Sequence, residues 1–198
     1  MSSTESGRER IIDVATRLFA ALGYDGTSTR MIAEAAGLNI ATVAYHAGGK
    51  RDLYLAVMER AHLAERDALE EAAAAFTPDP AGVHEMIDRY LDFCVDNPDI
   101  PALWMHRWLS DAADVAHLES EYVKPLIDDV CATVRGAVSA DVDVEYAVMT
   151  IIWCTHGFCR GGVLDAEGQR TGLGSAKEIM RFRAHLHRMI ARLLAFPD

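Results

Sequence analysis

The sequence predicts an all-α protein, and three observations support that fold class. Apolar residues recur at helical spacing along most of the 198 residues, whereas no stretch shows the apolar–polar alternation of a half-buried strand. Alanine, the strongest helix former, is abundant, and most of the six prolines fall between the apolar stretches. The sequence also lacks a run of about 20 apolar residues, the length needed to span a bilayer, so we expect no membrane partner.

The N-terminus and the cysteines indicate the compartment. The opening residues, MSSTESGRER, do not have the basic and then apolar layout of a signal peptide. The four cysteines, Cys94, Cys131, Cys154 and Cys159, are irregularly spaced within apolar helical patterns, which is typical of reduced, buried thiols. We therefore expect a cytoplasmic protein.

The first predicted helix carries one apolar face and stops at a glycine. Ser6 and Glu9 form a capping-box pattern at its start, and Gly23 marks its end. The residues of its apolar face are Ile11, Ile12, Ala15, Leu18, Phe19 and Leu22.

Residues 27–50, TSTRMIAEAAGLNIATVAYHAGGK, predict two short helices joined by a tight turn. Thr27 is a good N-cap for the first helix, because its hydroxyl can accept a hydrogen bond from an amide of the first turn. Gly37 falls where a helix ends in a left-handed residue, and Asn39 is the N-cap candidate of a second helix over residues 40–46. Two helices that cross at a short glycine-containing turn form a helix-turn-helix, whose second helix enters the major groove of DNA.

Prolines and glycines divide the rest of the sequence into six more helices and one loop. The first three helices are a long one over residues 49–75, one over 81–96, and one with Pro101 in its first turn. The others are a helix over 118–138 that Pro125 kinks or breaks, an apolar helix from an Asp141 or Asp143 cap through Phe158, and a last helix over 176–196. A glycine-rich loop over 161–175 precedes the last helix.

The net charge of −11 is unevenly distributed. Residues 1–53 carry six basic and six acidic side chains, so the remainder, with 13 basic and 24 acidic side chains, carries the whole excess. An acidic body repels nucleic acid at long range, while a locally basic tip still engages phosphate. This distribution predicts weak non-specific binding to DNA, although the acidity could also serve only solubility.

The helix-turn-helix segment resembles the N-terminal domain of tetracycline-repressor-type (TetR family) transcriptional regulators. The shared pattern is A-G-(V/L)-(S/N)-x-A-x-V-x-Y-H-x-G-x-K, preceded by G-x-x-x-T-(S/T)-x-x-x-I-A. The matching residues are Gly23, Thr27, Ser28, Ile32, Ala33, Ala36, Gly37, Leu38, Asn39, Ala41, Val43, Tyr45, His46, Gly48 and Lys50. The likeness covers residues 8–55, about a quarter of the chain. Ala44 and Ala47 stand where members of this variant often carry Asn and a bulky aromatic residue, so we expect altered base contacts and weaker packing of the small domain.

The resemblance implies the architecture and function of the whole chain. Residues 1–53 would form the DNA-binding domain, and a long helix would join it to an effector-binding and dimerisation domain over residues 54–198. The protein would be a ligand-responsive transcriptional regulator, a repressor that a small hydrophobic effector releases from a palindromic operator. It would be no enzyme and would need no cofactor. The alternative is an all-α enzyme or small-molecule carrier in which the helix-turn-helix is only structural.

Ten residues are predicted to bind DNA. Ile40 and Ala41, at the start of the second short helix, would touch thymine methyl groups, and Thr42 would hydrogen-bond to a base or a phosphate. The other candidates, which present polar groups mainly to phosphate, are Thr27, Ser28, Arg30, Asn39, Tyr45, His46 and Lys50.

The last two predicted helices carry more apolar surface than one packed face needs. The residues concerned are Val144, Val148, Ile151, Ile179, Phe182, Leu186, Met189, Ile190 and Leu193. In the family that the chain resembles, the two C-terminal helices pair with their twins across a two-fold axis. The resemblance therefore implies a homodimer whose symmetry matches a palindromic operator. From the residues alone, both helices could also be plain core.

Large or polarisable residues in the second half of the sequence predict a small-molecule pocket. They are Cys94, Trp104, Met105, Trp108, Trp153, His156 and Phe158. Such a set favours a hydrophobic or aromatic effector, although each residue alone is more often core. We expect no metal at Cys154, His156 and Cys159, because side chains two residues apart on a helix diverge.

Overall fold

The chain folds into nine α-helices and one short hairpin over residues 3–109, 112, 115 and 117–193, which a computed structural model describes with side chains from Gly7 onward. The helices are α1 Ser3–Gly26, α2 Thr29–Ala36, α3 Ile40–Ala47, α4 Lys50–Ala74, α5 Pro80–Asp96, α6 Asp99–Trp108, α7 Lys124–Val134, α8 Val144–Gly161 and α9 Ala176–Leu193. The strands are β1 Val163–Leu164 and β2 Arg170–Thr171. The predicted all-α class is confirmed. Within the described ranges, every helix is too short or too polar to cross a bilayer.

Several helix ends lie where the sequence predicts them. Gly37, with φ 66° and ψ 34°, ends α2 in the left-handed conformation that glycine adopts without a steric penalty. Asn39 Oδ1 accepts a hydrogen bond of 2.7 Å from the Thr42 amide and so caps α3. Of the two candidate aspartates, Asp143 caps α8, because its carboxylate accepts from the Tyr146 amide at 3.1 Å.

The kink or break predicted at Pro125 takes the form of a change in hydrogen bonding, because the helical backbone itself is continuous from Leu118 to Val134. A π-helical turn over Glu119–Val123 comes first, and α7 then starts at Lys124 with Pro125 in its first turn. Proline is tolerated there because the amide hydrogen that it lacks would have no partner in a first turn.

The start of α2 differs from the prediction. Ser28, not Thr27, is the N-cap, since its Oγ accepts from the Met31 amide at 3.2 Å. Thr27 is only 2% exposed, and its hydroxyl donates to the Gly23 carbonyl oxygen at 2.7 Å. The first helix is interrupted at its predicted end, since Gly23 has a non-helical φ of 75° and ψ of 171°, and helical backbone then continues to Gly26. Burial against α1 decides between the two adjacent hydroxyl residues.

The glycine-rich segment before α9 is not the plain loop that we predict from the sequence. β1 and β2 pair antiparallel, with Val163 opposite Thr171 and Leu164 opposite Arg170. Strands of two residues are too short to show an alternating pattern in the sequence. The predicted capping box is wrong, because α1 already starts at Ser3 and Ser6 therefore lies inside the helix. The predicted end of the last helix at residue 196 lies outside the described residues.

Two compact units make up the chain. The first comprises Met1–Leu63 and Asp99–Ala116, and the second comprises Ala64–Pro98 and His117–Asp198. The predicted domain boundary after residue 53 assigns α6 to the second domain, whereas the structure includes it in the first unit. The α4 helix contributes residues to both units.

The first unit has an apolar core between α1 and its neighbours. The α1 helix packs against α2, α3 and α6. Phe19 and Tyr54 meet edge to face with ring centroids 5.1 Å apart, and both are buried. The α6 helix is tied to α1 by the His106 ring nitrogen, which lies 3.2 Å from the Ala20 carbonyl oxygen. This core fixes α2 and α3 on α1.

The second unit has a separate core formed by the end of α4 together with α5, α7, α8 and α9. Leu91, Val144, Leu186 and Ile190 lie within it, each at most 1% exposed. Arg183 of α9 forms a salt bridge of 2.9 Å with Asp88 of α5, at the edge of this core.

Candidate nucleic-acid interface

Most of helix α3 is accessible to solvent. Within its eight residues only Val43 is buried, while Ile40 is 49% and Tyr45 is 82% exposed. Ala41 is exposed and Thr42 half-exposed beside them. A helix that packs through a single buried side chain leaves most of its surface available to enter a groove.

Polar groups at the start of α3 are partly committed to the helix itself. Asn39 Oδ1 accepts from both the amide and the hydroxyl of Thr42, at 2.7 and 2.9 Å. The hydroxyl hydrogen of Thr42 is thereby occupied, so its oxygen is best suited to accept from a base amino group.

The start of α2 presents two of the three residues predicted there. Ser28 and Arg30 are exposed, and Arg30 forms a 2.9 Å surface salt bridge with Glu34. Such exposed pairs contribute little energy, so the guanidinium can exchange its carboxylate for a phosphate at small cost. Thr27 is buried and bonded to α1, so it has no surface to offer DNA and instead positions α2.

Lys50, the first residue of α4, is held by an aromatic ring. Its Nζ lies 4.2 Å from the centroid of the Tyr24 ring, and Tyr24 in turn packs on Tyr54 at 4.8 Å between centroids. The preceding turn is closed by the Gly49 amide, which donates to Asp52 Oδ2 at 2.9 Å. A cation held over an aromatic face is pre-positioned to meet an anion.

Helix α1 adds to the candidate interface one residue that the sequence did not predict, and it packs beside another that the sequence did predict. A β-carbon built on Gly37 would lie 3.4 Å from Arg10 Nη2, so the exposed Arg10 guanidinium covers the turn between α2 and α3. The half-exposed His46 ring is beside Gly7 of α1, 3.8 Å from a β-carbon built there. Nothing in the pattern of α1 distinguishes Arg10 from its other arginines, because its proximity to the turn depends on packing.

The predicted effector residues fall into two groups. Trp104, Met105 and Trp108 lie on α6 in the first unit. The other four, all in the second unit, are Cys94, Trp153, His156 and Phe158. Trp153 is 48% exposed, whereas Cys94, His156 and Phe158 are buried. The structure therefore does not unite the three tryptophans in one core.

A buried polar cluster, which we define as Glu65, Tyr90 and His156, lies in the core of the second unit. The Tyr90 hydroxyl is 2.8 Å from His156 Nε2 and 3.4 Å from Glu65 Oε1. Burial lowers the pKa of His156 to about 4 and raises the pKa of Tyr90, so both side chains are neutral at pH 7. Glu65 and Tyr90 are the functional candidates that sequence reasoning missed, because nothing local marks them as neighbours.

The predicted dimer residues also separate by exposure. The core of the second unit buries Val144, Ile151, Leu186 and Ile190. These four cannot face a partner, because the same stripe already packs on the protomer's own helices. Val148, Ile179, Phe182 and Met189 are half-buried, and Leu193 is 45% exposed. Tyr146 and Met180, at 67% and 64% exposed, are the apolar surface residues that the prediction omitted.

Comparisons with known proteins agree with this geometry. Residues 11–57, which span most of α1 through the start of α4, match the family model "Bacterial regulatory proteins, tetR family". The HTH-type transcriptional regulator RutR of Escherichia coli K12 is 27% identical over 155 residues, covering 75% of this chain and 71% of RutR. The HTH-type transcriptional dual regulator CecR of Shigella flexneri is 38% identical over 92 residues, covering 43% of this chain and 41% of CecR.

Solved structures share the fold over nearly the full length. A TetR-like transcriptional regulator from Rhodococcus sp. RHA1 superposes with a TM-score of 0.72 at 18% identity, covering 96% of each chain. The TetR family regulator PfmR from Thermus thermophilus has a TM-score of 0.70 at 20% identity, covering 93% of this chain and 98% of PfmR. Residues 11–57, folded as a capped helix-turn-helix, are thus the part of the chain that matches the tetR family of bacterial regulatory proteins, and the chain is a DNA-binding transcriptional regulator.

Proposed function

We propose that this regulator is a homodimeric repressor that binds a palindromic operator and is released by a small effector. The observation that carries the DNA-binding part is the exposure of α3, where Val43 alone is buried and Ile40 and Tyr45 face solvent. Large apolar side chains on an exposed helix are costly to hydrate unless a partner covers them. Because α3 is the second helix of a helix-turn-helix, we propose that the major groove of DNA is the partner that covers these side chains.

The contacts follow from the position of each side chain. Ile40 and Ala41 meet thymine methyl groups, and Thr42 accepts from a base amino group. Phosphate contacts come from the residues around the rim of α3, namely Arg10, Ser28, Arg30, Tyr45, His46 and Lys50. This set differs from the sequence-based one by the addition of Arg10 and the loss of Thr27, which is buried, and Asn39, whose Oδ1 caps α3.

Replacement of Lys50 by alanine is expected to weaken binding to every DNA sequence alike. Its ammonium group, held over Tyr24, would displace one counterion from the duplex. The slope of log affinity against log salt should therefore become shallower by roughly 0.9. Fluorescence anisotropy of a labelled operator and a scrambled duplex, between low and moderate salt, measures both slopes.

Lys177→Ala is the matched control, because Lys177 is exposed on α9 in the second unit. That variant should retain the wild-type slope. An equal slope for Lys50→Ala and the wild type would remove Lys50 from the phosphate contacts.

The effector site that we propose lies within the second unit, around the buried polar cluster. Neutral Tyr90 and His156 can each form a hydrogen bond with a ligand. Cys94, one turn after Tyr90 on α5, and Phe158, two residues after His156 on α8, provide buried apolar surface. An effector with an aromatic or aliphatic body and one hydrogen-bonding group fits this combination. Trp104, Met105 and Trp108 belong to the other unit and are not needed for such a site.

Replacement of Tyr90 by phenylalanine is expected to reduce the response to the effector. The change removes one hydroxyl and leaves the ring, so the half-effective concentration for operator release should rise about fivefold, the equivalent of one hydrogen bond of about 1 kcal/mol. Compounds found by a screen for operator release supply the ligand. Tyr122→Phe, on the π-helical turn and outside both the cluster and the proposed interface, is the control. Identical responses of the two variants would exclude the cluster, provided that both bind the operator normally without ligand.

We infer that the chain acts by binding and not by catalysis. Burial raises the pKa of all four cysteine thiols, that of Cys159 to about 11, so none is activated as a nucleophile near neutral pH. Among the described residues, no three histidine, cysteine or carboxylate side chains converge as metal ligands would.

The homodimer part of the proposal rests on the outer surface of α8 and α9. Tyr146, Trp153, Met180 and Leu193 leave between 45% and 67% of their surface exposed on these two helices. A two-fold axis would bring each helix against its twin and bury this surface twice.

A further inference from the structure

We propose that the hairpin β1–β2 of one copy docks on the C-terminal half of α9 of a second copy. This inference rests on the homodimer proposed above and extends its interface beyond the helices. The partner is another copy of the same chain, and the contact joins an apolar residue and an acidic turn to a basic helix end.

The distribution of exposed apolar residues supports the hairpin as part of the interface. In the described part of the second unit, all the large apolar side chains that are strongly exposed lie on α8, the hairpin or α9. They are Tyr146, Trp153, Val163, Leu164, Met180 and Leu193. The exposed apolar surface of α8 and α9 thus continues through the segment that connects them.

The hairpin has a well-defined conformation. Gly162, with φ 60° and ψ −153°, precedes it, and a β-carbon there would lie 2.1 Å from the Thr171 carbonyl oxygen. Arg170 Nη1 donates to the Gly161 carbonyl oxygen at 2.6 Å, and Asp165 accepts from the Gln169 amide at 2.7 Å. These bonds fix the backbone on either side of Leu164, which is 66% exposed, so little backbone entropy remains to be lost on docking.

Charge complementarity identifies the docking surface. The turn of the hairpin carries the exposed Asp165 and Glu167, whereas the second half of α9 exposes Arg188 and Arg192 beside Leu193. A two-fold axis perpendicular to α9 pairs this helix antiparallel with its twin. Since its 18 residues span about 27 Å, the hairpin at the start of one α9 would then lie near the end of the other.

Charge reversal tests the contact in both directions. Glu167→Arg and Arg192→Glu should each raise the dimer dissociation constant about tenfold, because each places like charges together across the interface. Combining the two substitutions in one chain should restore most of the wild-type dissociation constant. Leu164→Asp should weaken the dimer without a charge partner to rescue it. Sedimentation velocity over a dilution series measures all four proteins, and circular dichroism verifies folding.

Glu121→Arg, an equal charge change at an exposed site of the π-helical turn, is the control and should leave the dissociation constant unchanged. If the hairpin variants and the double variant all dimerise like the wild type while Met180→Asp yields monomers, the hairpin contact is wrong and the helical interface stands. If the wild type itself is a monomer at every concentration, the homodimer and this contact both fail. Weakening by the single changes without rescue in the double variant would overturn the assigned pairing.

Discussion

At pH 4 the free energy of unfolding is expected to be about 3 kcal/mol lower than at pH 7, with His156 as the main source. His156 is 1% exposed, and burial lowers its pKa to about 4. An unfolded histidine titrates near 6.5, so between about pH 6.5 and 4 the unfolded chain binds a proton that the folded chain does not. The contribution is therefore complete above pH 6.5 and is lost as the pH falls towards 4.

The surroundings of His156 explain why it stays neutral. The Tyr90 hydroxyl is 2.8 Å away, and Tyr90 is itself buried with a raised pKa. Cys94 is buried in the same core, with a thiol pKa that burial also raises. The acidic group of this cluster is Glu65, whose Oε1 lies 3.4 Å from the Tyr90 hydroxyl.

Urea denaturation between pH 4 and 8 measures this linkage. His156→Gln keeps a hydrogen-bonding side chain but cannot titrate, so its stability should change much less across the same range. His185→Gln, at an exposed site on α9, is the control and should follow the wild-type curve. Parallel curves for the wild type and His156→Gln would show that this histidine does not control acid stability.

Met180→Asp is expected to convert the protein into folded monomers at concentrations where the wild type is a dimer. Met180 is 64% exposed, so the change leaves the protomer's own core intact. A two-fold interface would bury the new carboxylate twice without a partner, which should raise the dimer dissociation constant at least about 100-fold. The monomers should also bind a palindromic operator far more weakly, since only one half-site can be occupied at a time.

The site of the substitution matters for this test. Leu186 carries the centre of the stripe predicted from the sequence, but it is fully buried, so a charge there would unfold the second unit instead. Leu22→Asp, at a 45% exposed position on α1, is the control for an added carboxylate. Sedimentation velocity reports the association state. A folded Met180→Asp dimer with wild-type affinity would move the interface away from α9.

Local sequence patterns were sufficient for the helices and for the recognition unit. Gly37 and Asn39 end α2 and start α3 through backbone conformation and capping, which depend only on near neighbours. Pro125 marks the first turn of α7 because its ring removes an amide hydrogen whatever the surrounding fold. The family pattern over the same segment predicted the function, because it identifies α3 as a helix that contacts DNA.

Only the tertiary structure decided how these helices are used. Thr27 and Ser28 both suit a cap, and packing against α1 buries one and exposes the other. The apolar stripe through Leu186 and Ile190 is periodic whether its partner is the same chain or another copy, and burial assigns it to the protomer's own core. Tyr90 and His156 are 66 residues apart in sequence, so their 2.8 Å contact exists only once α5 packs on α8. Helical periodicity identifies which face is buried, but the long-range packing of the chain determines what covers it.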